Sequence, residues 1–223
     1  MNPSTMTEPR KKTKALLFDF GGVISKTLFE THDLSEKALG LAPGTLTWRG
    51  PFDPTNDALW QSMQAEQISE RDYWLTRSKE VGKLLGEDWS DMQTLVQRAR
   101  GSEPNQIIRP QVVALVREAR ERGLRLAILS NELDLFYGAA LRQKLSLLKE
   151  FELIVDASYT GILKPDPRAY QACLDGLKVE AQECLMIDDQ ARNIRGAEAL
   201  GLPSVLFNVL GPEGSCDQVR AHL

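Results

Sequence analysis

Asp19 closes the apolar run ALLF, Ser130 and Asn131 close LRLAIL, and Asp188 and Asp189 close CLMI. Lys164 follows a further apolar run, on the Pro-punctuated loop GILKPDP just before a helical pattern. Carboxylates, one ammonium and a Ser/Asn pair make a consistent set for phosphoryl chemistry. Hard carboxylate oxygens suit Mg²⁺, which takes carboxylates together with substrate phosphate and water. A lysine and a hydroxyl or amide can hold the oxygens of a transferring group. One carboxylate can be the nucleophile and pass through an aspartyl-phosphate. Each residue alone has an ordinary structural use, since Asp and Asn cap helices and loop lysines are solvated. Their recurrence at successive strand ends is what favours a site.

That recurrence requires a parallel sheet whose strands end along one edge, where ligands of such sheets bind. The run over 15–23, ALLFDFGGV, reads as a buried strand stopped by a Gly-Gly turn that lets backbone approach closely. From residue 107 onward strands and helices alternate. Pro110 opens a helix that ends before Gly123, and strands are expected over 124–131, 151–158, 184–189 and 204–208. Helices are expected over 135–148, 167–177 and 191–200 between them. This pattern predicts βαβ units and an α/β fold, a Rossmann-like, doubly wound parallel sheet. Between the first strand and the rest, 25–50 reads as irregular and is followed by helices. One is expected over 56–67, one opens at a capping box of Ser69 and Asp72, and one opens at a box of Ser90 and Gln93 and stops at Gly101. The chain therefore divides into a frayed tail (1–13), an α/β core (14–24 and 107–223) and an inserted α-helical cap (25–106). All four tryptophans (Trp48, Trp60, Trp74, Trp89) fall in the insert and are read as a small helical core, with some able to line a pocket.

With 223 residues, 42% hydrophobic and 26% charged, the composition is that of an ordinary globular protein. A net charge of −4 carries no footprint for nucleic acid or an anionic membrane surface. No window is apolar enough to span a bilayer, and the polar first dozen residues lack a signal-peptide h-region. Cys173, Cys184 and Cys216 are odd in number and far apart, which argues against a disulfide framework or zinc site. They are read as reduced, mostly buried thiols of a cytoplasmic protein.

Asp19 in DFGGV, Ser130-Asn131 in AILSN, Lys164 in GILKPDP and Asp188-Asp189 in MIDDQARN resemble, in order, the four motifs of the haloacid-dehalogenase-like hydrolases. The resemblance covers 14–208 and places the insert where that family carries a C1-type cap. It implies Mg²⁺ and phosphatase activity on a small metabolite. It further implies that Asp19 is nucleophile and metal ligand, that Ser130 and Asn131 bind the phosphoryl group, and that Lys164 holds nucleophile and phosphate together. Asp189, supported by Asp188, would be the main metal ligand of the fourth motif, and the main-chain carbonyl at Gly21 a further one.

Gly21 is also the departure from the pattern. Phosphatases of this family usually carry a second Asp there, two residues after the nucleophile, as general acid–base for the leaving alcohol. Such an acid is worth about 10² to 10⁴ in rate. A sugar-1-phosphate, with its acidic anomeric hydroxyl, would tolerate the loss best. His32, shortly after the first motif, is a conceivable substitute acid, although a lone His in a polar stretch is more often an exposed bystander. Two other readings stay open: a dehalogenase, which also lacks that Asp, and a non-catalytic metabolite-binding protein.

Overall fold

The computed structural model describes residues 12–100 and 104–223. Five parallel strands form its sheet: β1 (Ala15–Phe18), β2 (Arg125–Ser130), β3 (Leu153–Asp156), β4 (Cys184–Asp188) and β5 (Ser204–Leu206), in the order β3-β2-β1-β4-β5. The order reverses at β1, so the crevice beside its carboxyl end is the switch point of a doubly wound sheet. β1 is the central strand, and every one of its four side chains is buried. It therefore needs cover on both faces, which a parallel sheet provides. Its register pairs Phe18 with Ile128 on one side and Ile187 on the other, which aligns the strand ends carrying Asp19, Ser130 and Asp188.

Alternation of side chains divides the core in two. Leu16 and Phe18 face one side with Ile128, Ile187 and the apolar stripe of α5 (Pro110–Glu121), at Val112, Leu115 and Val116. Cys216 and Val219 of α10 (Pro212–Arg220) join them. Ala15 and Leu17 face the other side, against Tyr170 and Leu174 of α8 (Pro167–Leu177) and Ile194 of α9 (Ala191–Ala199). All three cysteines are buried and free, as their spacing suggests.

Between β1 and α5 lie α1 (His32–Leu39), α2 (Ala58–Gln64), α3 (Glu70–Leu84) and α4 (Met92–Arg100). Their centre is Phe29, whose ring meets Trp48 and Trp60 edge-on at 5.5 and 5.3 Å and Trp74 at 5.3 Å. Gly50 makes this possible, since it holds φ +48 and any Cβ there would enter the Phe29 ring. Trp48 and Trp89 are buried, whereas Trp60 and Trp74 are only partly so. Asp57 caps α2 through a 2.9 Å bond from the Trp60 amide. The same buried carboxylate accepts from Tyr73 Oη (3.0 Å) and Arg77 Nη2 (2.6 Å) of α3.

Several local expectations are corrected. The stretch 25–50 contains α1, a short helix ended by Gly40 at φ +71, whose few apolar side chains hid its periodicity. The box of Ser69 and Asp72 forms, but Asp91 rather than Ser90 caps α4, by accepting from the Thr94 amide at 2.7 Å. The expected stop at Gly101 lies outside the described residues, as does the tail over 1–11. The helix expected over 135–148 is instead α6 (Leu133–Arg142), interrupted at Gly138 (φ +69, ψ 151) and followed by a 3₁₀ turn at Ser146–Glu150. The third strand ends early because Asp156 turns the chain into α7 (Ala157–Thr160) by accepting from the Ser158 amide.

Asp57→Ala would leave the Arg77 charge, 11% exposed, without its buried partner and with only the exposed Glu80 carboxylate beside it. Loss of one member of a buried pair costs about 3–5 kcal/mol. A stability decrease of that size is expected in denaturant unfolding followed by tryptophan fluorescence.

Candidate active site

Asp19 is the first residue beyond β1, and its amide donates to the Ile187 carbonyl at 2.8 Å. Behind it the chain turns through Gly21 (φ −69) and Gly22 (φ +75). A Cβ on Gly22 would collide with the Asp189 carboxylate, so glycine is what allows the loops after β1 and β4 to meet. Arg109, buried at the start of α5, holds that loop. Its Nε donates to the Gly22 carbonyl at 3.0 Å, and its two Nη atoms form a bidentate pair with Glu30 at 2.7 and 2.6 Å.

Lys164 reaches in from the loop before α8. Its Nζ lies 2.7 Å from Asp19 Oδ1 and 2.6 Å from Asp188 Oδ2, with its side chain 1% exposed. Burial pulls the ammonium's pKa down, and the two carboxylates more than offset that pull. Asp188 is saturated: Oδ1 also accepts from the Gln190 amide (2.8 Å) and both oxygens accept from Asn193 Nδ2 (3.0 and 3.1 Å). Asn131 is occupied as well. Its side-chain oxygen accepts from the Lys164 amide at 2.7 Å and its nitrogen donates to the Lys164 carbonyl at 3.2 Å. Asn131 therefore positions the lysine loop, and its second Nδ2 hydrogen is left to meet a ligand in the cavity it lines. Ser130 Oγ accepts from the Glu132 amide at 3.3 Å and lines the same cavity.

Asp19, Asp188 and Asp189 present carboxylate oxygens that all lie within 4.8 Å of one another. Three carboxylates against one ammonium leave surplus negative charge in a buried place. Burial pushes Asp19 up to about 7 despite Lys164, and pushes Asp189 well above the carboxylate range, with Asp19 and Asp188 adding to it. Asp189 Oδ1 is buried without a hydrogen-bond partner among the described residues. An all-oxygen donor set with an orphaned carboxylate oxygen fits a hard divalent cation such as Mg²⁺. Because Asp188 is committed to Lys164 and Asn193, Asp19 and Asp189 are the side chains with oxygens to give.

The cluster opens into a cavity of about 750 Å³, roofed by Phe29, Trp60 and Trp74. Its size is that of a small-molecule site. The structure brings Asp19, Ser130, Asn131, Lys164, Asp188 and Asp189 together, and sequence reasoning missed Asn193, Arg109 and Glu30. Asn193 was within reach, five residues after Asp188 on the first turn of α9. His32 is neither exposed nor a substitute acid. It is 6% exposed and stands 4.4 Å edge-on to Trp48. Burial, with Arg49 adding to it, lowers its pKa to about 4, so the ring is neutral near pH 7.

A doubly wound sheet with an acid–lysine cluster at its switch point, facing a cavity, has the build of an enzyme site at the carboxyl edge of a parallel sheet. A model of the haloacid dehalogenase-like hydrolases matches residues 13–201, and the chain belongs to that family. Phosphatase MT3486 from Mycobacterium tuberculosis is 34% identical over 102 residues, 46% of this chain and 47% of that protein. The chain spans less than half the length of the first curated relatives it matches. YfnB from Bacillus subtilis, assigned as an HAD hydrolase and solved bound to magnesium, superposes with a TM-score of 0.65 at 19% identity, covering 87% of this chain and 86% of that one. L-2-haloacid dehalogenase from Xanthobacter autotrophicus superposes at 0.55 and 21% identity, covering 86% and 76%. At such identities the likeness to solved structures speaks for the fold.

Two outcomes are expected. Gly22→Ala should displace Asp189 and weaken Mg²⁺ binding in calorimetry, whereas Gly21→Ala, whose Cβ meets nothing within 4 Å, should leave it intact. His32 titrates at about 4 when folded and near 6.5 when unfolded, so the unfolded chain binds the extra proton between those values. Stability contributed by the neutral ring is complete above pH 6.5 and is lost as pH falls through that window, at up to roughly 1.4 kcal/mol per pH unit. His32→Phe should flatten that part of the Tm–pH curve.

Proposed function

We propose that the protein is a Mg²⁺-dependent phosphatase acting on a small phosphorylated metabolite through an aspartyl-phosphate on Asp19. The observation that carries this reading is the Lys164 ammonium held between Asp19 and Asp188 beside the orphaned Asp189 oxygen. Asp19, Asp189 and the Gly21 carbonyl would hold the ion, which would supply positive charge to offset that of the phosphate. Lys164 fixes Asp19 Oδ1, leaving Oδ2 to attack phosphorus. The same ammonium and the Ser130 hydroxyl would receive the phosphoryl oxygens, and Asp188 with Asn193 keeps the lysine in place. Residues 25–106 act as a cap that closes the cavity over the substrate and excludes water. Phosphatases among the relatives support the choice of phosphate over halide, as do carboxylates grouped to hold a cation.

The test is phosphate release from a panel of sugar-1-phosphates, sugar-6-phosphates and p-nitrophenyl phosphate, with Mg²⁺ and with EDTA. Turnover should require Mg²⁺ and vanish in Asp19→Asn. Turnover unaffected by EDTA, or kept by Asp19→Asn, contradicts the reading. Halide release from 2-haloacids without metal would transfer the site to dehalogenase chemistry.

A further inference from the structure

Gly21 leaves a phosphatase of this design without a proton for the leaving alcohol at the usual place. We propose that Glu132 supplies it, as general acid to the leaving-group oxygen and then as general base to water; this rests on the phosphatase reading above. Glu132 follows the Ser130-Asn131 pair directly, its amide bonds Ser130 Oγ, and it lines the same cavity as Asp19 and Lys164. Its residue is 6% exposed. Oε1 accepts from Arg71 Nε of α3, while Oε2 is buried with no partner among the described residues. A buried carboxylate oxygen with no donor is costly. Protonated, that oxygen becomes a donor, and the acceptor it lacks is what the ester oxygen of a bound substrate provides.

The charged groups facing Glu132 are Arg71 and Glu70 of α3 and Asp156 of β3. Burial raises its pKa to about 7, Arg71 pulls against that, and Glu70 and Asp156 add to it. Both protonation states are then accessible near neutral pH, as an acid that must turn base requires. Glu70 is less suited, since it is paired with Arg192 at 3.0 Å and Gln190 at 2.9 Å. In the first step Asp19 Oδ2 bonds to phosphorus, the bond from phosphorus to the ester oxygen breaks, and that oxygen takes the Glu132 proton to leave as the alcohol. In the second, Glu132 carboxylate takes a proton from water as the water oxygen bonds to phosphorus and the bond from phosphorus to Asp19 Oδ2 breaks, releasing phosphate and restoring the Asp19 carboxylate.

The experiment compares kcat/KM for an alkyl phosphate and for p-nitrophenyl phosphate, whose leaving group needs no proton. Glu132→Gln should lower the alkyl ester by at least about 100-fold and leave the aryl ester nearly unchanged, which also shows that the variant is folded. The wild-type alkyl rate should fall as pH rises above about 7, and this limb should disappear in the variant. Arg71→Gln breaks the same ion pair but keeps the carboxyl, so it should preserve the alkyl-to-aryl ratio. Equal losses on both esters in Glu132→Gln, no loss on either, or a selective alkyl loss in Arg71→Gln would each overturn the assignment. A wild type that hydrolyses neither ester with Mg²⁺ overturns the phosphatase reading itself, and the acid with it.

Discussion

The buried Lys164 ammonium is the interaction on which the site depends. An ammonium with its side chain 1% exposed is tolerable only when opposite charge meets it at hydrogen-bonding distance, and here two carboxylates do. Those carboxylates come from different strands, so β1 and β4 must end level with each other, which their register ensures. The lysine comes from a third segment, and the Asn131 side chain ties that segment to the end of β2 with paired bonds to the Lys164 main chain. Four parts of the chain are thus fixed by one charge. The arrangement still does not balance, because Asp189 has no ion-pair partner of its own among the described residues. A fold built for stability alone would have little use for a third carboxylate there, and perturbed groups of this kind concentrate where chemistry is done.

Much of this was legible in the sequence, because buried parallel strands read as unbroken apolar runs and their polar successors mark one edge. ALLF, LAILS and CLMID needed no partner to be recognised. What escaped were features set by residues far apart in the chain. Arg109 meets the Gly22 carbonyl and Glu30 across more than 75 positions, and neither contact has a local signature. His32 looked exposed because its neighbours in sequence are polar, yet the Trp48 indole covers it. Asn131 looked like a ligand-binding amide, and only the fold reveals that its oxygen and nitrogen also hold the Lys164 backbone. Gly138 interrupts an apparently continuous helix at φ +69, where a Cβ would also collide with the Gln93 and Gln97 side chains of α4.

The helical layer has its own logic. Phe29 gathers the tryptophans, Asp57 joins α2 to α3, and the first turn of α3 reaches the α/β core through Glu70 to Arg192 and Arg71 to Glu132. Aromatic side chains therefore serve two purposes: they fill the interior of the layer, and Trp60 and Trp74 give the cavity an apolar wall. A wall of that kind lowers the local dielectric over the charged floor, which strengthens every electrostatic contact the floor makes.

The central claim is that Asp19 forms the covalent bond to phosphorus. It is tested most directly by acid-quenching the protein during turnover of p-nitrophenyl phosphate with Mg²⁺ and mapping the phosphoryl group by peptide mass spectrometry. The expected result is a phosphoryl group on the peptide containing Asp19, formed and lost at rates that match turnover. Turnover with that peptide unmodified, or with the phosphoryl group on another residue, would contradict it.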